Sequence, residues 1–396
     1  MTDLFTEPEL LFQHNPEQPF QLPPGLARLR AERPLAPMRF PDGHEGWLAT
    51  GYDEARTVLG HAAFSNRYEL IHIPLPGFSG EMPPAPTGDF LGLDAPEHTR
   101  FRRLLAGKFT VRRMRVLTEQ VERFTADRLA ALAALPRPAD LMAAYAQPIP
   151  ALVICELLGV PATDREWFRQ AVNGMLAREG TSADDIMTNW TALNDYLRDL
   201  VRAKRAEPTD DVLSELTTSD LTEDELTGVG VFLLGAGLHT TATVLGLSTL
   251  ALLMNPGQLA TLRENPAGAI EELLRYTGIG GATVRVARTD VEIGGELVKA
   301  GQTVAISPIA ANRDPRRFGD GDALDLGRDA SGHLSFAHGV HQCLGQHLAR
   351  VELRIALPAL FERFPSLALA VPVHEVPLRT TANMYELERL PLTWQD

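Results

Sequence analysis

The sequence predicts a mainly α-helical protein with a small β region, an α+β architecture in one domain spanning residues 1–396. Three observations lead there. From Pro96 to about residue 270 the apolar residues recur at helical spacing almost throughout. Strand-like alternation returns only in short pieces, at 46–50, at 281–310 and in the last 25 residues. The chain has 396 residues, 44% apolar and 22% charged, which is ample for a large core, and it shows no internal repeat and no clear linker.

Charge and cysteine content narrow the function. Against 51 Asp+Glu stand 37 Lys+Arg, a net charge of −14, which argues against a nucleic-acid partner. Two cysteines, Cys155 and Cys343, exclude a disulfide-built scaffold. The amino terminus is acidic and lacks the basic and apolar regions of a secretion signal. No stretch reaches the ~18 uninterrupted apolar residues of a membrane span. A cytoplasmic, monomeric protein with no membrane partner is expected.

The elements follow in order. Residues 1–45 are rich in proline and read as an extended lead-in. GWLAT (46–50) reads as a strand and YDEARTVL (52–59) as a helix. Residues 66–93 are too rich in Pro and Gly for a regular helix; a loop of that length within a domain points to a lid or substrate loop. Thr222 and Glu225 form a capping box, and Asn255-Pro256 marks a stop. The helix between them is about 30 residues, roughly 45 Å at 1.5 Å per residue. It is apolar on most faces and should cross the core. Gly235 and Gly237 inside it each cost ~1 kcal/mol relative to Ala, which makes sense where a flat group approaches the backbone. TVRVA, VEIGG and TVAISP read as strands, and a helix is expected at about 344–364.

The most informative stretch is HLSFAHGVHQCLGQHLAR, residues 333–350. Cys343 lies just before a helix start, where free backbone N–H groups and the positive end of the dipole stabilise a thiolate. Gly339 permits a tight turn, and Gly345 leaves room for something flat and large. This is what a haem-iron thiolate ligand needs. Two other readings compete: a zinc site built from His338, His341, Cys343 and His347, and a plain buried cysteine. The zinc reading gives the glycines and Phe336 no role.

Through Phe336, Gly339, His341, Cys343 and Gly345 the sequence resembles the cytochrome P-450 superfamily, the haem-thiolate monooxygenases. Ala337 departs from the pattern, standing where glycine is usual; the methyl is tolerable if φ there is negative. The Glu-x-x-Arg pair is matched by Glu272 and Arg275. The resemblance implies that Cys343 ligates the iron of haem b, with Ala236 and Gly345 against the cofactor. His98, Arg102, Arg285 and His341 would contact the propionates, and His333 would be a further partner. Ala236, Gly237, Thr240 and Thr241 match the family's central-helix pattern. His239 takes the place of its acid, either relaying protons or filling space as a packing residue. Thr240, Thr241 and His239 are thus the catalytic candidates.

The resemblance further implies O₂ activation and insertion of one oxygen into a bulky, apolar small molecule, by hydroxylation or epoxidation. The sequence resembles the soluble actinomycete branch that tailors polyketides, macrolides and other secondary metabolites. Substrate contacts are expected from the 66–93 loop, the 165–190 region, Leu234, Leu238, Ile279, Thr283, Met384 and Tyr385. Peroxide-driven oxidation, ring closure or rearrangement is the alternative chemistry, and a non-catalytic haem protein a further one. With no room for a reductase domain, electrons would come from a ferredoxin and ferredoxin reductase. A basic island, Arg100, Arg102, Arg103, Lys108, Arg112, Arg113 and Arg115, is the candidate docking surface.

Overall fold

The computed structural model describes residues 6–13, 15–108, 111–175, 182–279, 282–379 and 385–395. Met384 and positions 176–181 of the 165–190 region lie outside the described residues. The central helix, Glu223–Met254, has 32 residues, and its capping box is formed: Thr222 Oγ1 accepts from the N–H of Glu225, whose carboxylate accepts from the N–H of Thr222. Its length and apolarity would suffice to cross a membrane. Here those faces are used by other helices: Pro148–Leu158, Ala183–Ala206, Pro266–Thr277 and Gln346–Arg363 pack around it. Leu247, Leu250, Ala251 and Leu252 are sealed from water.

The β structure is small and set to one side. Leu35–Arg39, Glu45–Ala49, Thr303–Ile306, Thr283–Ala287 and Phe64–Ser65 form one sheet in that spatial order. Only the pair Glu45–Ala49 and Thr303–Ile306 is parallel. Its long-range pairings tie the first fifty residues to the last hundred. The expected extended lead-in is wrong in part. Pro24–Glu32 is a helix, started by the preset φ of proline at its first position, and Leu35–Arg39 is one of the two edge strands of the sheet. Residues 71–93 remain irregular, as their Pro and Gly content dictates.

Glu272 and Arg275 are both completely buried and paired, with Nε to Oε2 at 2.6 Å. Arg275 Nη1 also donates to the carbonyls of Asn312 and Gly321, at 2.8 and 2.7 Å. Glu272 Oε1 accepts from the N–H of Asp325 and from Arg328. The ion pair thus ties the helix Pro266–Thr277 to the segment 312–328, which contains the short helix Pro315–Phe318 and leads into the cysteine loop. Its value lies in this network of satisfied partners, since an isolated buried pair offsets little of its desolvation.

Candidate active site

Cys343 sits between the one-turn helix Gly339–His341 and the start of Gln346–Arg363. Its N–H donates to Phe336 O at 2.9 Å, which closes the loop. Burial pushes the thiol pKa up; backbone N–H groups of Gly345 and Gln346 and the guanidinium groups of Arg102 and Arg350 pull the other way. These N–H groups and guanidinium groups favour the charged form of the sulfur against the pull of burial. Cys155 differs: burial raises it to about 12, and it is a packing residue.

Cys343 faces a cavity of about 350 Å³ between its loop and the central helix. Ala236, Gly237, Thr240 and Thr241 line the helix side, and Phe336, Ala337 and Gly345 the loop side. A Cβ at Gly345 would meet nothing within 4 Å, so the backbone is open to a flat group. Thr240 Oγ1 donates to Ala236 O at 2.8 Å, leaving its lone pairs to accept.

One rim of the cavity carries nitrogen donors and one cation, Arg102. His98 and Arg102, four apart on Glu97–Ala106, both line it with His341. The rings of His98 and His341 lie 4.2 Å apart. Burial, together with the charges of Arg285 and His98, drives His341 down to about 3. Burial likewise lowers Arg285, to about 10. His98 Nε2 and His341 Nδ1 are buried without a hydrogen-bond partner, and Arg102 has no carboxylate partner among the described residues. Unpaired donors and a cation held in apolar walls call for an anion. A flat cofactor bearing carboxylates fits these residues.

Several expected positions fall elsewhere. Arg285 does not line the cavity; its Nη1 donates to Asn66 Oδ1 at 2.6 Å and Val284 O at 2.7 Å. Thr283 starts the same strand, outside the lining, with its Oγ1 3.4 Å from Arg285 Nη1. His333 faces Glu271, Nε2 to Oε2 at 3.3 Å, and braces the loop against its neighbouring helix. Burial raises Glu271, but His333 and Arg350 outweigh it and hold the carboxyl at about 2. Leu234 and Leu238 point into the core, 1% and 2% exposed, because the cavity lies on the face of 236, 237, 240 and 241. Ile279 lines the cavity, whereas Tyr385 is buried behind it, its N–H donating to Ile279 O at 3.1 Å. His239 is turned away, beside Glu386.

Ala337 has φ +56° and ψ −162°, so the condition under which its methyl would be tolerable, a negative φ, is not met. The zinc reading finds no support, since among the described residues no three such side chains gather to hold a metal ion. The basic island is largely neutralised by acids from 210–225. Arg100 pairs with Asp220 and Glu225, Lys108 with Glu215, and Arg112 and Arg113 with Asp210. Those acids are distant in sequence, so the local run reads as more basic than the folded surface is.

Sequence reasoning also missed a wall. Pro150, Val153, Ile154 and Leu157 of Pro148–Leu158 line the cavity, as do Phe232, Leu233 and Val244. The helix Pro148–Leu158 is apolar except at Glu156, so no periodic stripe singled out a cavity face.

Comparison with known proteins identifies the fold and the family. The Cytochrome P-450 family model matches residues 266–371. The chain is 45% identical to Cytochrome P-450 105C1 of a Streptomyces species, over 96% of this chain and 97% of that one. It is 41% identical to Nocardicin C N-oxygenase of Nocardia uniformis subsp. tsuyamanensis, covering 94% of this chain and 96% of the relative. The crystal structure of a CYP105P1 H72A mutant superposes with a TM-score of 0.91 at 38% identity, covering 99% of this chain and 100% of that one. The LnmA cytochrome P-450 hydroxylase from the leinamycin biosynthetic pathway of Streptomyces atroolivaceus gives 0.86 at 42% identity, covering 94% and 96%. This chain belongs to the cytochrome P-450 family. It is a monooxygenase, and the cofactor of its class is a haem held by a thiolate.

Proposed function

We propose that the enzyme oxidises a bulky, apolar secondary metabolite, with haem b as cofactor and Cys343 as the iron ligand. The observation that carries this reading is the cavity itself, in which one buried cysteine meets the unpaired nitrogens of His98 and His341 and the guanidinium of Arg102 across apolar walls. His98, Arg102 and His341 would hold the propionates, with Arg285 adding charge from behind. When bound, the haem supplies the O₂ chemistry, with electron donation from sulfur. The protein's own part is to bind, orient and keep dry. Phe90, Leu91, Val153, Ile154 and Phe232 offer apolar surface to the substrate and exclude water from it. Thr240, at the wall, offers its hydroxyl lone pairs to accept hydrogen bonds from what enters, and Thr241 lies beside it.

Relatives named for nocardicin C and for the leinamycin pathway support a secondary-metabolite substrate. Hydroxylation is the reaction this reading favours. Electrons would come from an acidic ferredoxin and its reductase. Their approach is to the cysteine loop, where Val340 is 68% exposed and Arg56 lies close enough to act on His338. One domain would carry the whole activity, as a monomer in the cytoplasm; a reducing compartment suits two free cysteines. The test is a screen of metabolites against the haem-loaded protein. Bulky apolar compounds should shift the Soret band on displacing cavity water, and small polar ones should not. If only polar or charged compounds shift it, the substrate class is wrong.

A further inference from the structure

Glu271 and Glu272 are neighbours on the helix Pro266–Thr277 and point different ways. Glu272 is sealed in the core with Arg275. Glu271 faces the cysteine-loop side and takes Arg350 in a two-pronged pair, Nε to Oε1 at 2.6 Å and Nη2 to Oε2 at 2.9 Å. Such a fork fixes the plane of a guanidinium as well as its place. Arg350 Cζ stands 4.5 Å from the centroid of the Phe336 ring. Its third nitrogen, Nη1, donates to Gln346 Oε1 at 3.0 Å and to Gln346 O at 3.3 Å. Two features connect this pair to the sulfur. Phe336, against which the guanidinium lies, accepts the Cys343 N–H through its carbonyl. Arg350 is also one of two guanidinium groups whose charge favours the ionised form of Cys343. The other, Arg102, lines the cavity, where a propionate would meet it; Arg350 and Glu271 stand outside the lining, with Phe336 in between. With its carboxyl held at about 2, Glu271 carries its charge throughout the neutral range.

We propose that Arg350, positioned by Glu271, tunes the reduction potential of the haem from behind Phe336. This rests on the proposed haem site. The step concerned is one electron passing from the ferredoxin to the haem, ferric to ferrous; no bond in the protein forms or breaks. The entering negative charge is attracted by the guanidinium and repelled by the carboxylate. Losing the cation therefore makes reduction harder, and losing the carboxylate makes it easier. The pair holds the potential between those limits, and the bidentate geometry keeps the two charges at fixed distances from the sulfur. Because Phe336 separates the pair from the cavity, it acts on the iron without touching the substrate.

The test is a redox titration of the haem-loaded, substrate-free protein with mediator dyes, read from the Soret band. Arg350→Met should move the midpoint to more negative potential and Glu271→Gln to more positive. Each should change the ferric-to-ferrous ratio at a fixed applied potential roughly tenfold, ~59 mV for one electron. Glu271→Gln keeps a side-chain oxygen for the guanidinium, and Gln346 still accepts from Nη1, so the cation stays in place. Arg350→Lys keeps the charge and should shift the midpoint less than Arg350→Met does. The double variant should return close to wild type. The CO band of the reduced protein should keep its position in all of them. Opposite signs are the signature of charge, since a loop merely loosened by either change would shift the midpoint in one direction. Shifts of the same sign, or midpoints that do not move, overturn the inference. If Arg350→Met does not load haem, Glu271→Gln decides alone, and a negative shift or none overturns it. A wild type without the thiolate band would overturn the haem reading and this inference with it. The band present with the wrong signs overturns this inference only.

Discussion

Replacing Ala337 by glycine should make the protein more stable. At φ +56°, ψ −162° the backbone of Ala337 is in a region that glycine enters freely and alanine does not. Holding a side chain there costs ~1–3 kcal/mol. Removing the methyl also loosens the unfolded chain, which offsets ~0.4–1 kcal/mol. The net gain is then about 0–2.6 kcal/mol, centred at ~1.3 kcal/mol. With an unfolding entropy of roughly 0.8 kcal/mol/K for a chain of this length, that is a rise of only ~1–2 °C in Tm. A denaturant midpoint at constant slope is therefore the better readout. The conformation is held from both sides: Ala337 N–H donates to Leu334 O at 2.9 Å, and Cys343 N–H to the neighbouring Phe336 O. Ala337→Val, with a branched side chain in the same region, should lower the midpoint. An Ala337→Gly midpoint at or below wild type would refute the reasoning, because the loop would then hold no strain to release.

Other perturbations bear on the core and the cofactor site. Arg275→Met should cost about 3–5 kcal/mol by leaving Glu272 buried beside only Arg328, and equilibrium unfolding checks it. His98→Ala with Arg102→Ala should reduce haem retention, each losing a charge-assisted bond worth ~1.5–3 kcal/mol; unchanged haem transfer to apomyoglobin would show that neither meets a propionate. Glu352, a fully buried acid on the cavity wall, is raised by desolvation from 4.5 to about 8. The folded state then keeps a proton that the unfolded state releases, so stability is full below pH 4.5 and falls as pH rises to 8. The loss is at most roughly 5 kcal/mol at 1.36 kcal/mol per pH unit. Glu352→Gln should remove this fall, which unfolding curves at pH 5 and pH 8 would show.

What could be read from the sequence is what local rules control. The capping box at Thr222 and Glu225, the Asn255 stop and the glycine-framed cysteine loop depend on neighbouring residues, and all three are formed. His98 and Arg102 share a face because their spacing puts them there. What escaped was set by partners distant in the chain. Glu386 comes beside His239 because Gly246 lets the strand Glu386–Leu387 lie on the central helix. Arg100, Lys108 and Arg113 look like a free basic surface until the segment 210–225 folds against them. Leu234 and Leu238 were misplaced because a helix apolar on every face does not reveal which side borders a cavity. Pro24–Glu32 was hidden by its prolines, which began a helix instead of preventing one.

The central claim is that Cys343 holds the haem iron. Its most direct test is the Soret band of the reduced, CO-bound protein, recorded for wild type, Cys343→Ala and Cys155→Ala. Wild type and Cys155→Ala should both give the strongly red-shifted band of a thiolate-ligated haem, and Cys343→Ala should lose it. A red-shifted band that survives in Cys343→Ala, or that disappears in Cys155→Ala, would contradict the account.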